Sequence, residues 1–245
     1  MAQTENRRPI ASRNSRLTQA VAAKLAARKG ITPNRISLAG AVFAAAGAAV
    51  MLTVHPAGLV TAAVCIQLRL LCNLFDGMVA VEGGQKTPAG ELFNEFPDRI
   101  ADSLFLVAAG YAADSAWLGW LAALAAALTA YVRVFGGSVG LKQSFRGPMA
   151  KQHRMAVLTA ACLLGAWEVS ANGTMYVFQT ALLLIASGSL ATCFFRARDI
   201  ASELNRRAAE NSEMPSEKGG PSDTEHLETH NKTSAATVCA AEETQ

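Results

Sequence analysis

Residues 59–102 read LVTAAVCIQLRLLCNLFDGMVAVEGGQKTPAGELFNEFPDRIAD. The apolar run from Leu59 to Phe75 approaches the length that spans a hydrocarbon core of about 30 Å. It nevertheless carries Gln67, Arg69 and Asn73, and it ends at Asp76. Asn73, Asp76, Gly77 and Ala80 fall at i, i+3, i+4 and i+7, so they share one helix face. A short loop, 82–90, contains Gly83, Gly84 and Pro88 and leads to a second polar face. There Glu91, Asn94, Glu95, Asp98 and Asp102 recur at three- and four-residue spacings. Ionisable groups at membrane depth are costly unless they face a cavity, a partner or a metal. Two such faces joined by a short loop can oppose each other near one membrane surface.

The rest of the chain repeats the apolar block without the polar face. Further blocks run Ile36–Val54, Trp117–Phe135, Met155–Trp167 and Tyr176–Phe195, and Glu91–Ala113 becomes apolar from Ser103. The chain is 51% hydrophobic and 17% charged, with the charge crowded into its ends and a few loops. A soluble protein of this size would alternate polar and apolar residues throughout. The expected fold class is all-α: a polytopic membrane protein of six transmembrane helices, preceded by an N-terminal amphipathic interfacial helix. That leader helix is expected over Ser15–Lys29, with Leu17, Val21 and Leu25 in one stripe, Arg16, Lys24 and Arg28 mostly off it, and Gly30 as C-cap. A solvated leader with a chance stripe is the alternative. No continuous apolar run occurs in the first 30 residues, so no secretory signal peptide is expected there.

Basic residues set the orientation. The N-terminal segment, the loops after spans two and four, and the stretch after span six hold nearly all Lys and Arg. The other three turns hold none, and two of them carry Asp114 and Glu168. Both termini and the polar faces are therefore expected on the cytoplasmic side of an inner (cytoplasmic) membrane. The basic charge is that of positive-inside loops, and no nucleic-acid partner is expected. Three parts follow: a basic segment with the interfacial helix (1–34), a six-helix membrane domain (35–199) and a polar tail (200–245). The tail is rich in Glu, Ser, Thr and Asn and reads as disordered. Cys65, Cys72, Cys162 and Cys193 lie in or beside apolar blocks and Cys239 in the tail, with no metal-ligand spacing.

Converging oxygen ligands suit a hard cation such as Mg²⁺ or Mn²⁺. Such an ion among carboxylates suggests phosphate chemistry, in which metal charge offsets phosphate charge. Gly77, Ala80 and Gly90 would let a bulky ligand approach the backbone.

Asn73-Leu74-Phe75-Asp76-Gly77-Met78-Val79-Ala80, then Gly90, Asn94 and Asp98, resemble the signature of the CDP-alcohol phosphotransferases. That pattern is D-x-x-D-G-x-x-A-R, eight residues, then G-x-x-x-D-x-x-x-D, and the spacing here matches it throughout. Ile31-Thr32-Pro33-Asn34 ahead of the first block and the six-span layout are also similar, so the resemblance covers about residues 15–200. It implies transfer of a phosphate-linked alcohol from a CDP-alcohol to an acceptor hydroxyl, with release of CMP, in phospholipid biosynthesis. It implies two divalent metals held at positions 73, 76, 94 and 98, and Asp98 as the general base. It places Gly77, Ala80 and Gly90 in a nucleotide pocket. Homodimerisation is common in the family, so the resemblance admits a homodimer.

Three positions depart from the pattern: Asn73 and Asn94 replace Asp, and Val81 replaces Arg. An Asn carbonyl can ligate Mg²⁺ but brings no charge, so binding of a second ion in particular should weaken. Glu91, Glu95 and Asp102 each lie within one turn of a matched position and can compensate. Arg69, one turn before Asn73, can replace the lost guanidinium or simply pair with Asp76. Three readings stay open: an active transferase, an inactive relative that binds CDP-lipid, and a transporter of ions or lipid through a polar cleft.

Arg133, Lys142, Arg146, Lys151 and Arg154 cluster after the fourth span. They read either as positive-inside charge or as a cationic pocket for a phosphorylated acceptor or lipid phosphates. The resemblance favours CDP-diacylglycerol as donor and a polar, phosphorylated alcohol as acceptor. His153 reads as a surface residue.

Overall fold

The computed structural model describes residues 16–26, 28, 30, 32–82 and 90–213. Among these residues the chain forms seven helices and no strand: α1 (Arg16–Ala26), α2 (Pro33–Met51), α3 (Pro56–Glu82), α4 (Gly90–Ala112), α5 (Ala116–Ser138), α6 (Lys151–Asn172) and α7 (Tyr176–Glu213). Residues 1–200 make one compact unit and 201–245 a second. Within the second, Arg206 and Arg207 pair with Glu203 at 2.7 and 3.3 Å, a helix turn apart.

Among the described residues five helices are long and apolar enough to cross a membrane: α2, α3 over Pro56–Val81, α5, α6, and α7 over Tyr176–Glu210. The remaining long helix, α4, has the length at 23 residues but carries its charges in its first half. α1 packs against α3. Its buried residue is Ala22, whereas Val21, expected in the apolar stripe, is exposed. The side chain of Leu17 lies outside the described residues.

Several elements run past their expected ends. α3 continues through Gly77 to Glu82 and so carries Asp76 inside a helix, an isolated glycine being tolerated there. α6 begins at Lys151 and extends to Asn172, which moves Lys151, Arg154 and Glu168 from expected loops onto the helix. Counting charges as loop misplaced these residues. Each charge is satisfied by a tertiary partner, so the helix has no reason to stop there.

Local chemistry starts α2: the Thr32 side chain accepts from Arg35 N at 3.4 Å, and Pro33 occupies the first helical turn. Short turns (52–55, 113–115 and 173–175) join α2 to α3, α4 to α5 and α6 to α7. They gather at one end of the bundle, where Gln179 of α7 donates to Ala113 O at 2.9 Å. At that end Glu168, 6% exposed, accepts from Thr174 Oγ1, Tyr176 N and Val177 N at 2.7, 2.8 and 2.9 Å. Its carboxylate therefore satisfies the free N–H groups that open α7.

The core between the helices is built from small residues around a few large ones. Ala44, Ala62, Ala109 and Ala122 are fully buried, as are Phe105, Phe178 and Ile66. Helix backbones touch at glycine: a Cβ on Gly110 of α4 would stand 2.6 Å from Gly119 Cα of α5. One on Gly47 of α2 would meet Cys65 Cβ of α3 at 2.7 Å and the Phe105 ring of α4 at 2.8 Å. Small residues at crossings are how helices associate when lipid offers no hydrophobic drive between them. Large apolar side chains point the other way: Val42, Val64, Leu124, Leu164 and Leu183 are all exposed.

Candidate active site

The opposite end of the bundle holds the polar residues. α3 presents Arg69, Asn73 and Asp76, and α4 presents Glu95, Asp98 and Asp102, as their spacings require. α2 adds Ser37, α5 adds Thr129 and Arg133, and α6 adds Lys151 and Arg154. A small cleft between α2, α3 and α4 is lined by Ser37, Arg69, Cys72, Asn73, Asp76 and Asp98, among others.

The two carboxylates on this cleft differ in what surrounds them. Asp76 accepts from Ser37 Oγ at 2.8 Å and from the N–H of Gly77. Asp98 accepts from Arg69 on one oxygen and from Lys151 on the other. Turned so that its nitrogen faces Asp98, the orientation that satisfies both ends of the amide, Asn73 also donates to Oδ1 at 2.9 Å and Oδ2 at 3.1 Å. An ionised carboxylate offers about four lone-pair sites. Asp98 gives one oxygen to each of two cations and faces the Asn73 amide besides, whereas the donors on Asp76 are a neutral hydroxyl and a backbone N–H.

Behind Asp98 the charges continue into the core. Asp102 lies 3.8 Å from Arg69 and 3.4 Å from Arg154. Arg154, 1% exposed, also donates to Thr129 Oγ1 at 3.2 Å and Met149 O at 3.0 Å. Arg196 of α7 donates to Thr129 O at 2.7 Å and Arg146 O at 2.9 Å, tying the 139–150 connection to α5 and α7. Where that connection passes α7, Gly147 has φ +128° and abuts Thr192, so any side chain there is both strained and blocked. Glu95 pairs with Arg133 at 2.6 Å and Arg99 at 3.0 Å. Arg133 also lies over the Phe145 ring, 5.5 Å from its centroid.

The geometry sorts the expected site residues into groups. Asn73, Asp76, Asp98 and Arg69 meet at the cleft, and Lys151 reaches it through Asp98. Gly77 and Ala80 stand further along α3 and do not line the cleft. The side chains of Glu91 and Asn94, and the surroundings of Gly90, lie outside the described residues. Two of the acids expected to compensate have other occupations: Glu95 engages Arg133 and Arg99, and Asp102 is buried against Arg154 and Arg69. Arg154, expected among the loop cations facing an acceptor, is a core residue. Arg146 is 82% exposed, 3.7 Å from Asp199. Ser37, Thr129 and Arg196 carried no signal, because their partners lie 25 to 67 residues away in sequence.

Among the described residues no three His, Cys, Asp or Glu side chains converge as a metal set. Apart from the Cys72 thiol, the cleft groups that could ligate an ion are nevertheless oxygens: the Asp76 carboxylate, the Ser37 hydroxyl and the Asn73 amide. That chemistry fits one hard divalent cation beside Asp76.

Fold and cleft together define a bundle of membrane-length helices with a charged, oxygen-lined cleft at one end. The chain belongs to the CDP-alcohol phosphatidyltransferase family, whose model matches residues 30–194. It is similar to the archaetidylinositol phosphate synthase of Aeropyrum pernix, 33% identical over 71% of this chain and 85% of that one. The phosphatidylinositol phosphate synthase of Streptomyces avermitilis is 28% identical over 77% of this chain and 82% of its own. A crystal structure of the Mycobacterium tuberculosis phosphatidylinositol phosphate synthase with CDP-DAG bound has a similar fold: TM-score 0.62, 20% identity, 76% of this chain and 94% of that one. The same protein in complex with manganese and citrate matches with a TM-score of 0.61, 20% identity, 75% of this chain and 88% of that one.

Proposed function

We propose that this protein transfers a phosphatidyl group from CDP-diacylglycerol to the hydroxyl of a polar, phosphorylated alcohol, releasing CMP. The observation that carries the reading is the cleft on which Asp76 of α3 and Asp98 of α4 stand together with Arg69. The names of the similar proteins make an inositol phosphate the first acceptor to try.

In this reading the acceptor oxygen attacks the lipid-bearing phosphorus, the phosphorus–oxygen bond to CMP breaks, and the hydroxyl proton passes to Asp98. To reach Asp98 the hydroxyl displaces one of its present donors, Lys151 or Asn73. Asp76, with Asn73 and Asn94, would hold Mg²⁺ or Mn²⁺, whose charge offsets that of the phosphates. Arg69 is 3% exposed and its Nη1 is buried without a hydrogen-bond partner. A buried donor left so is costly, and a donor phosphate oxygen supplies the acceptor it lacks. Arg69 thereby replaces the guanidinium absent at Val81. Arg146 is exposed near this end, and Arg133 and Lys151, paired with Glu95 and Asp98, would turn to a phosphorylated acceptor that displaces those pairs. Gly77, Ala80 and Gly90 remain our assignment for the nucleotide's approach.

We read the membrane part, 35–199, as six spans, with α4 as the span not identified by composition. Its 23 residues reach about 34 Å at 1.5 Å per residue. It leads from the cleft end to the tight turn before α5. Exposed Trp117, Trp167 and Tyr176 at the turn end fit an aromatic belt at the far interface. The N-terminal segment, 1–34, with α1 in the interface, the tail, 200–245, and the cleft then face the cytoplasm.

CMP release by the full chain in nanodiscs, with CDP-diacylglycerol, Mg²⁺ or Mn²⁺ and a pool of alcohols, tests the reading. Metal-dependent release that Asp98→Asn abolishes is the expected result. Silence across the pool with CDP-lipid binding intact would instead make the protein an inactive relative. Solute flux through protein-containing liposomes, blocked by changing Asp76, would make it a transporter.

A further inference from the structure

We propose that Arg69 and Lys151 together occupy the electrostatic place of a divalent cation at Asp98, so that the chain holds a single metal ion, at Asp76. The inference deepens the reading above and rests on its treatment of the cleft as a metal site.

The argument is one of charge and lone pairs. Asp98 and Asp102 are the carboxylates of the inner network. Arg69 touches both, Lys151 and Arg99 approach Asp98, and Arg154 approaches Asp102. Positive charge already exceeds negative around this pair. A divalent ion added there would meet several cations at close range in a poorly solvated site. It would also have to displace protein donors, since Arg69 holds one oxygen of Asp98, Lys151 the other, and the Asn73 amide, turned nitrogen-first, approaches both. Asn73 supports the same state from the other side. In the orientation that satisfies both its ends, its amide nitrogen donates to Asp98, which an Asp at position 73 could not do and would oppose by repulsion. Nothing comparable surrounds Asp76. Its partners are the neutral Ser37 hydroxyl and the Gly77 N–H, and no cation pairs with it among the described residues.

The arrangement also gives Lys151 two states. It rests on Asp98 while the acceptor is absent. It is released toward a phosphate when the acceptor hydroxyl takes its place. A metal ion in that position would have no such freedom, being held by its other ligands.

Manganese binding decides the matter, read as the loss of the free Mn²⁺ electron-spin resonance signal on titrating the full chain in nanodiscs. The expected result is one Mn²⁺ per chain up to millimolar metal, lost in Asp76→Asn. Lys151→Met removes one cation from Asp98 and should admit a second Mn²⁺, whereas Lys151→Arg should keep the count at one. Two ions per wild-type chain, none at all, or one that survives Asp76→Asn would overturn the proposal. So would a Lys151→Met chain whose count and affinity match wild type. If that variant does not fold, the wild-type count and Asp76→Asn still decide. CMP release on the same samples separates the two claims. Two ions with turnover sink the one-ion site and spare the transferase. One ion with silence across the alcohol pool does the reverse.

Discussion

The two ends of this bundle solve the same packing problem by different means. At the turn end the helices close on Gly110, Gly119 and Gly165, and one buried carboxylate, Glu168, is spent on the N-terminus of α7. At the cleft end the same helices are held apart and together by charge. Asp98, Asp102 and Glu95 of α4 reach Arg69 of α3, Arg133 of α5 and Lys151 and Arg154 of α6. Close backbone contact tolerates no added atom but carries no net charge. A buried ion network can be rearranged by a ligand, yet each member depends on the others. The difference assigns rigidity to one end and adaptability to the other, as a reaction between two bound substrates requires.

The largest test of that contrast is within the network. Arg154→Ala leaves Asp102 buried with only the longer Arg69 contact, and removing one partner of a buried pair costs about 3–5 kcal/mol. Denaturation of the purified protein in detergent should show a loss of that order, with Arg154→Lys losing less. A loss below about 1 kcal/mol would mean that the cleft end is not held by charge. Next comes Gly110→Val, which drives a side chain into the backbone of α5. Overpacking of this kind costs roughly 1–3 kcal/mol. Turnover per folded molecule should stay unchanged, because the change is confined to the turn end. A selective fall in turnover would show that the two ends are coupled. Smaller again is Glu168→Gln, which weakens the cap on α7 by about 1 kcal/mol in the same denaturation.

The contrast also explains what could be read before the structure was known. The faces of α3 and α4 were legible, because three- and four-residue spacings place Asn73 with Asp76 and Glu95 with Asp98 on any helix. The pairing between faces was not. Lys151 meets Asp98 across 53 residues and Arg154 meets Asp102 across 52. Nothing local distinguishes a cation that pairs in the core from one that orients a loop. Arg154 and Arg146 looked alike in sequence, eight residues apart, and they end 1% and 82% exposed. The helical fold was legible from apolar block length. α4 differs from the five apolar helices in that its first half carries the acids that face the cleft end.

Arg146 therefore gives the smallest and most discriminating prediction. Its guanidinium is exposed and lies 3.7 Å from Asp199, a surface pair worth at most about 1 kcal/mol. The contact that fixes the connection at this point is its backbone carbonyl, which accepts from Arg196 and survives any side-chain change. Arg146→Ala should leave stability within about 0.5 kcal/mol of wild type. The question is then what this exposed cation does. A rise in KM for a phosphorylated alcohol, at constant KM for the CDP-lipid, places Arg146 on the acceptor. Unchanged constants for both substrates leave it as one of the positive charges that orient the chain in the membrane. In that case acceptor recognition falls to Lys151 and Arg133, which already stand beside the cleft acids.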